Sequence, residues 1–163
     1  MRQLDIVWKR LVRDGETCDR CGATFTQLER AVASLEAALL PLGIRPMLET
    51  QALDPREFEA LPSESNRVWI AGRPLEDWLG ARVGMSRCCS VCGDSDCRTL
   101  ALDEGTYETI PEELFVRAGL MAAAQLVAPA PAGDAAAPSC CAGPGDTGRC
   151  GAPPPDEGGP RPS

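Results

Sequence analysis

The sequence predicts an α/β domain: a mixed sheet with flanking helices, a cysteine-rich loop and a hairpin inserted late in it, and a disordered C-terminal tail. Three observations carry this expectation. A strand pattern, an amphipathic helix pattern and a second strand pattern follow one another within the first 50 residues, the order of a crossover that lays two parallel strands side by side. A second long helical pattern closes the domain near Leu126. Beyond Ala128 the chain is dominated by Ala, Pro and Gly, with too few large apolar residues to offset the entropy of ordering. The expected boundaries are therefore 3–127 for the domain and 128–163 for the tail.

Within the domain, Leu4, Ile6 and Trp8 alternate with Asp5 and Lys9, so Leu4 to Val12 reads as a strand that ends at Asp14-Gly15. Phe25, Leu28, Val32, Leu35 and Leu39 recur at three- and four-residue intervals, which predicts a helix from Thr24 to about Leu40, stopped by Pro41 and Gly43. Ile44 to Thr50 is a second strand, and Pro46 within it points to a sheet edge or an irregular start. Asp54-Pro55 opens a short helical turn, followed by a loop around Pro62 and Ser63. Asn66 to Gly72 is a compact apolar strand, and Pro74 to Leu79 a short helical or extended piece. Arg98 to Leu102 and Thr106 to Ile110 flank Asp103-Glu104-Gly105 as a hairpin. Thr109 and Glu112 stand in capping-box spacing with Pro111 in the first turn, so the last helix should run from about Ile110 to Leu126. Trp69 and Trp78 are expected in the core, and Glu57, Glu59, Glu64, Glu112 and Glu113 on solvated faces or helix starts.

The charge balance narrows the function classes. Lys9 is the single lysine, and a formal net charge of −8 repels the phosphate backbone whose neutralisation drives nucleic-acid binding. The N-terminal residues include Asp5 and no apolar signal core, and the apolar run from Val116 to Ala128 is too short to span a bilayer. A soluble, cytoplasmic protein that binds neither nucleic acid nor membrane is the expectation. With no histidine in the chain, a zinc, iron or copper site must rest on thiolates, and most nucleophile-base designs lack their base.

Function therefore centres on the nine cysteines. Cys18-Asp19-Arg20-Cys21 stands between the first strand and the first long helix. At a helix start, unpaired N–H groups and the positive end of the dipole favour a thiolate. In the redox reading Cys18 is the exposed nucleophile and Cys21 resolves the mixed disulfide. The pair also has the spacing of a metal clip, or of two reduced thiols in a packed turn.

Several stretches together carry a resemblance: Thr17-Cys18-Asp19-Arg20-Cys21 followed by Thr24, then Glu64 to Glu76, Cys97-Arg98-Thr99, and Tyr107-Glu108-Thr109-Ile110-Pro111-Glu112. Over about residues 3–126 the chain resembles a prokaryotic domain-of-unknown-function family of thioredoxin-like, cysteine-rich proteins. The resemblance implies a thioredoxin-like sheet and thiol chemistry. Thioredoxin-like proteins usually carry a cis-proline before the strand facing the CxxC pair, and this chain has Ser65-Asn66 there.

The densest signal is Cys88-Cys89-Ser90-Val91-Cys92-Gly93-Asp94-Ser95-Asp96-Cys97. Cys89-x-x-Cys92-Gly resembles a knuckle turn in which two thiolates and nearby N–H groups hold one tetrahedral ion. Cys92, Cys97 and either Cys88 or Cys89 would supply three ligands. The other cysteine, Asp94, Asp96 or a thiol of the first site would supply the fourth. Arg87 and Arg98 are expected to offset the thiolate charge. The occupant is zinc or another soft metal ion, with an iron-sulfur cluster or a disulfide as alternatives. In the tail, Cys140, Cys141 and Cys150 either wrap a soft ion such as arsenite or mercuric ion, or belong to a low-complexity extension.

Three readings follow. The first is thiol-disulfide or metal-thiolate redox chemistry with a protein thiol or small thiol as partner. The second is binding or trafficking of a soft metal ion. The third is a zinc-stapled interaction module.

Overall fold

β1 (Arg2–Leu11) sends Leu4, Ile6 and Trp8 to one side of the sheet, where all three are buried, and exposes Gln3 and Asp5 on the other. In the computed structural model, which describes residues 1–88 and 92–128, this strand is the axis of a four-stranded sheet of order β2-β1-β3-β4. β2 (Ile44–Leu53) runs parallel to β1, whereas β3 (Arg67–Ile70) pairs with it antiparallel and β4 (Arg73–Pro74) with β3. Pro46 lies on β2, an edge strand as expected, where its missing N–H costs no pairing.

The crossover between β1 and β2 is α1 (Asp19–Leu39), which begins five residues earlier than the apolar repeat predicts. Cys18, rather than a serine or aspartate, is its N-cap: the Cys21 N–H donates to Cys18 Sγ at 3.4 Å. α1 lies against β2, and α4 (Glu112–Val127) lies against β1 and β3. The two helices also pack on each other, so the buried faces of both meet the same side of the sheet. Asp54 and Glu57 form a capping box at the start of α2 (Pro55–Ala60), which buries Phe58.

The capping box expected at Thr109 and Glu112 does not form. Pro111 is the N-cap of α4, without a side-chain cap, and α1 supplies the acceptors instead. The Ile110 N–H donates to Thr24 Oγ1 and the Glu112 N–H to Gln27 Oε1, both at 3.3 Å, while the Ser34 hydroxyl donates to the Glu112 carboxylate at 2.8 Å. Thr24 extends this bridge inward, accepting from Asn66 Nδ2 at 3.2 Å, and Asn66 Oδ1 accepts from the Trp8 indole at 3.2 Å. Asn66 sits at φ +59, a left-handed conformation that asparagine tolerates better than most residues. Trp8 also stacks on Phe25 with ring centroids 4.8 Å apart.

Two expectations about β3 and its flanks change. Val68 and Ile70 face the core, and the period of two then turns Trp69 outward, where the Lys9 ammonium and the Arg67 guanidinium lie over its ring at 5.1 and 4.7 Å. Glu64 is a half-buried ion-pair partner of Lys9 and Arg67 rather than a solvated charge; burial raises its pKa, the two cations outweigh that effect, and the net shift is downward. Trp78, on α3 (Leu75–Leu79), is in the core as expected and donates to the Ile70 carbonyl at 2.9 Å.

The remaining chain forms a three-stranded antiparallel sheet, β5-β6-β7. β6 (Asp96–Leu102) and β7 (Gly105–Tyr107) are the expected hairpin. β5 (Arg82–Arg87) has no counterpart in the sequence pattern: it is an edge strand with largely exposed side chains, defined by its pairing to β6. Arg98 ties this sheet to the rest. Its buried guanidinium donates to Glu76 at 2.5 Å and to the Ser63 carbonyl at 3.0 Å. Residues 129–163, with Cys140, Cys141 and Cys150, lie outside the described residues, as does Cys89.

The closest approach of α1 to α4 depends on Gly119, where a Cβ would lie 2.5 Å from Leu35 Cδ1, and Leu35 is itself buried. Overpacking costs about 1–3 kcal/mol, and the helix propensity gained over glycine returns about 1 kcal/mol. Gly119→Ala is therefore expected to lower stability in denaturant titrations. An unchanged or raised midpoint would show that Leu35 repacks without cost.

Candidate metal-thiolate site

The two cysteine groups that are far apart in sequence form one site. Cys18, at the N-cap of α1, Cys88, just after β5, and Cys92, before β6, place their three Sγ atoms within 4.8 Å of one another. Cys88 approaches Cys18 at 3.7 Å between sulfurs. Cys97, on β6, stands beside them with its Sγ 3.1 Å from that of Cys92. Gly93 holds φ +64 directly after Cys92, the left-handed turn that a knuckle needs and that glycine adopts without strain.

One side chain holds the two halves of the site in register. Arg20, inside the CxxC motif, donates to the carbonyls of Ser86 (3.5 Å) and Arg87 (2.7 Å), the two residues immediately before Cys88. Its guanidinium also pairs with Glu108 at 3.1 Å, and Glu108 accepts from the Ser86 hydroxyl at 2.8 Å. Arg20 thus fastens the end of β5 to the first turn of α1. Composition draws attention to its charge alone; only the fold shows it as a clamp.

Arg87 and Arg98 do not take the charge-balancing role expected of them. The Arg87 guanidinium is engaged by Asp94 through both its side chain and its carbonyl, and that of Arg98 by Glu76 and Ser63. The compensation visible around the sulfurs comes from hydrogen-bond donors, including the Cys21 N–H at the positive end of α1.

Cys18 is buried, 1% exposed, and so is not the exposed nucleophile that the motif predicts. The sulfurs of Cys88 and Cys92 lie against its own. Cys21 is fully buried one turn deeper, its Sγ 3.8 Å from the Ser65 hydroxyl, which accepts the Leu11 N–H at 3.0 Å. Ser65 therefore faces the pair from the position where the resemblance places a proline. Cys88 is the least buried of the described cysteines.

The sulfurs divide one negative charge unequally. Hydrogen bonds from the Cys21 and Cys97 thiols, with further donors in the Cys21 N–H and Cys88, hold the Cys18 thiol far below its ordinary value of 9.0 against the opposing effect of burial. The Cys21 thiol is raised, because its proton is held by Cys18 and because it is buried. Cys97 is raised for the same two reasons. Burial pushes Cys92 up to about 12. Of these four groups, Cys18 is the one favoured as a thiolate, while Cys21, Cys92 and Cys97 are held as thiols.

The signs of these shifts set how stability varies with pH. Cys18, lowered on folding, contributes stability that is complete above its unfolded value of about 9 and is lost as pH falls toward its folded value. Cys21, Cys92 and Cys97, raised on folding, contribute stability that is complete below about 9 and is lost as pH rises toward their folded values. The chelator-treated protein should therefore lose stability above about pH 9, by up to about 1.4 kcal/mol per pH unit for each of these three groups. Thermal unfolding followed across that range checks this, and a melting temperature that holds level or climbs would contradict it.

The donor set fits a soft metal ion. Sulfur ligands about 2.3 Å from a tetrahedral ion lie about 3.8 Å from one another, and the Cys18–Cys88 separation of 3.7 Å corresponds to one edge of such a tetrahedron. Among the described residues no carboxylate joins this group. Nor is any helix of the described chain long and apolar enough to cross a membrane.

A relative from Archaeoglobus fulgidus, described as an uncharacterized protein, is 46% identical over 112 residues, covering 69% of this chain and 82% of the relative. No solved structure matches. The model of the family described as Domain of unknown function (DUF2703) matches residues 4–119, from β1 into α4 and across every cysteine of the site. The chain therefore belongs to the DUF2703 family, and its Cys18, Cys88 and Cys92 form a cluster that could hold a metal ion.

Proposed function

We propose that this protein binds one soft metal ion, zinc being the reference case, through the thiolates of Cys18, Cys88 and Cys92, with Cys97 as the fourth sulfur. The observation that carries this reading is the convergence of three sulfurs from two chain segments 70 residues apart to within 4.8 Å. Oxygen ligands suit harder ions, whereas an all-sulfur group within a protein core suits zinc and softer cations. Binding replaces the shared thiol protons by the ion, so uptake releases protons and weakens as pH falls.

A thioredoxin-like architecture fits the same reading. The CxxC pair opens the helix after the first strand, that helix crosses to a parallel edge strand, and Ser65, two residues before β3, lies against Cys21. The departure lies in Cys88 and Cys92, whose sulfurs meet that of Cys18 where a substrate disulfide would otherwise dock.

Protein purified without oxygen should contain, or take up, about one zinc ion per chain in a chromophoric-chelator assay. Sharing about 10–16 kcal/mol of structural-zinc binding among four ligands makes the loss from Cys18→Ser or Cys92→Ser on the order of a hundredfold in affinity or more. A metal-free protein that takes up no zinc or softer cation under reducing conditions overturns the proposal. Arg20→Met removes the clamp without touching a sulfur, and is expected to weaken zinc roughly 10- to 100-fold, as loss of an outer partner does. Unaltered affinity in that variant would assign Arg20 to stability alone.

A further inference from the structure

Cys21 is the one described cysteine that the metal reading leaves without a task. It is fully buried, lies outside the group that converges on the ion, and rests against Ser65. Yet it shares the first turn of α1 with Cys18, three residues apart, and its N–H already points at the Cys18 sulfur. Cys18 thus belongs to two pairs at once: a metal-ligating group with Cys88 and Cys92, and a CxxC pair with Cys21. Membership in one excludes the other, because a sulfur in a disulfide is no longer a thiolate ligand.

Exposure adds a direction. Cys18, Cys21, Cys92 and Cys97 are buried, whereas Cys88 is only partly so, and its sulfur is 3.7 Å from that of Cys18. Among the described cysteines, an oxidant arriving from solvent therefore meets Cys88 first, and Cys18 is the next sulfur inward.

Resting on the metal-binding reading above, we infer that Cys88 is a modification site for low-molecular-weight disulfides and the entry to a three-sulfur relay, Cys88 to Cys18 to Cys21, whose completion expels the metal ion. In the first step the Cys88 thiolate attacks the external disulfide, forming a mixed disulfide and releasing one small thiolate. Cys18 then attacks the Cys88 sulfur, forming a Cys18–Cys88 disulfide and releasing the second small thiolate. Cys21 loses its proton and attacks Cys18, forming the Cys18–Cys21 disulfide and returning Cys88 as a thiolate. Overall, two protein thiols are oxidised, one external disulfide is reduced to two thiols, and two electrons pass outward. The ion loses its shared ligand. A dithiol reverses the sequence and restores the site.

Cys92 and Cys97 offer the competing outcome, since their sulfurs are 3.1 Å apart. An oxidation that joined those two would also strip ligands, but without Cys88 or Cys21. The disulfide formed tells the routes apart.

The test is to load the full-length protein with zinc, add oxidised glutathione under anaerobic conditions, follow zinc release with a chromophoric chelator, and map disulfides by mass spectrometry after acid trapping. The wild-type protein is expected to release its zinc with a Cys18–Cys21 disulfide as the end product. Cys21→Ser, compared with the wild type at equal zinc loading, is expected to release the ion roughly tenfold more slowly, accumulating Cys88-glutathione or Cys18–Cys88 species. Cys88→Ser is expected to slow formation of the Cys18–Cys21 disulfide in the metal-free protein, a readout that needs no bound ion. A Cys92–Cys97 end product, or release from Cys21→Ser at the wild-type rate, overturns the relay. If Cys21→Ser does not fold, the mapped end product in the wild type decides alone. Absence of zinc uptake by the wild type refutes the metal-binding reading instead, and disulfide mapping of the metal-free protein still decides the route.

Discussion

A thiolate at the N-cap of a helix, closed off from water, is the constraint around which this structure is arranged. A buried charge is costly unless donors surround it, and the positive end of α1, the Cys21 N–H and the neighbouring thiols are those donors. The second sheet brings the other sulfurs to the helix start: β5 ends at Arg87, directly before Cys88, and β6 begins at Asp96, shortly after Cys92.

The attachments of the second sheet follow from the same need. Arg20 joins the first turn of α1 to the end of β5, and Arg98 joins β6 to Glu76 and Ser63. Both use a planar, always-charged group to satisfy fixed acceptors, a task a lysine ammonium performs less well because it lacks the forked geometry. Glu76 also faces Arg67, and Glu64 links Arg67 to Lys9, so an ion-pair chain runs from β6 beneath the loop to β1. Such partly buried pairs contribute positioning more than net stability.

The same arrangement shows why a CxxC motif is a weak guide to activity. In an open cleft the first cysteine of such a motif meets substrates directly. Here Cys18 is buried, and among the described cysteines the one with most access to solvent is Cys88, whose sulfur lies 3.7 Å from that of Cys18. Enclosure favours an ion over a polypeptide partner, since an ion needs ligands and a path of only its own diameter.

The main layer of this fold was legible in the sequence because it depends on periodicity: Leu4, Ile6 and Trp8 at a period of two, Leu28, Leu35 and Leu39 at helical spacing, and Pro46 at an edge. The cysteines as candidate metal ligands, in a chain without histidine, were legible in composition. β5 was not, because an exposed edge strand carries no apolar alternation and takes its conformation from its partner. The start of α1 was missed because its first turn is specified by a cysteine cap instead of apolar residues, and the cap of α4 because its acceptors come from another helix. By itself the sequence determined which atoms are available: sulfurs, and a mixed sheet with helices to carry them. The tertiary structure alone decided that Cys18 joins Cys88 and Cys92 while Cys21 stands behind. Local spacing pairs Cys18 with Cys21, whereas the contact across 70 residues depends on how the second sheet docks.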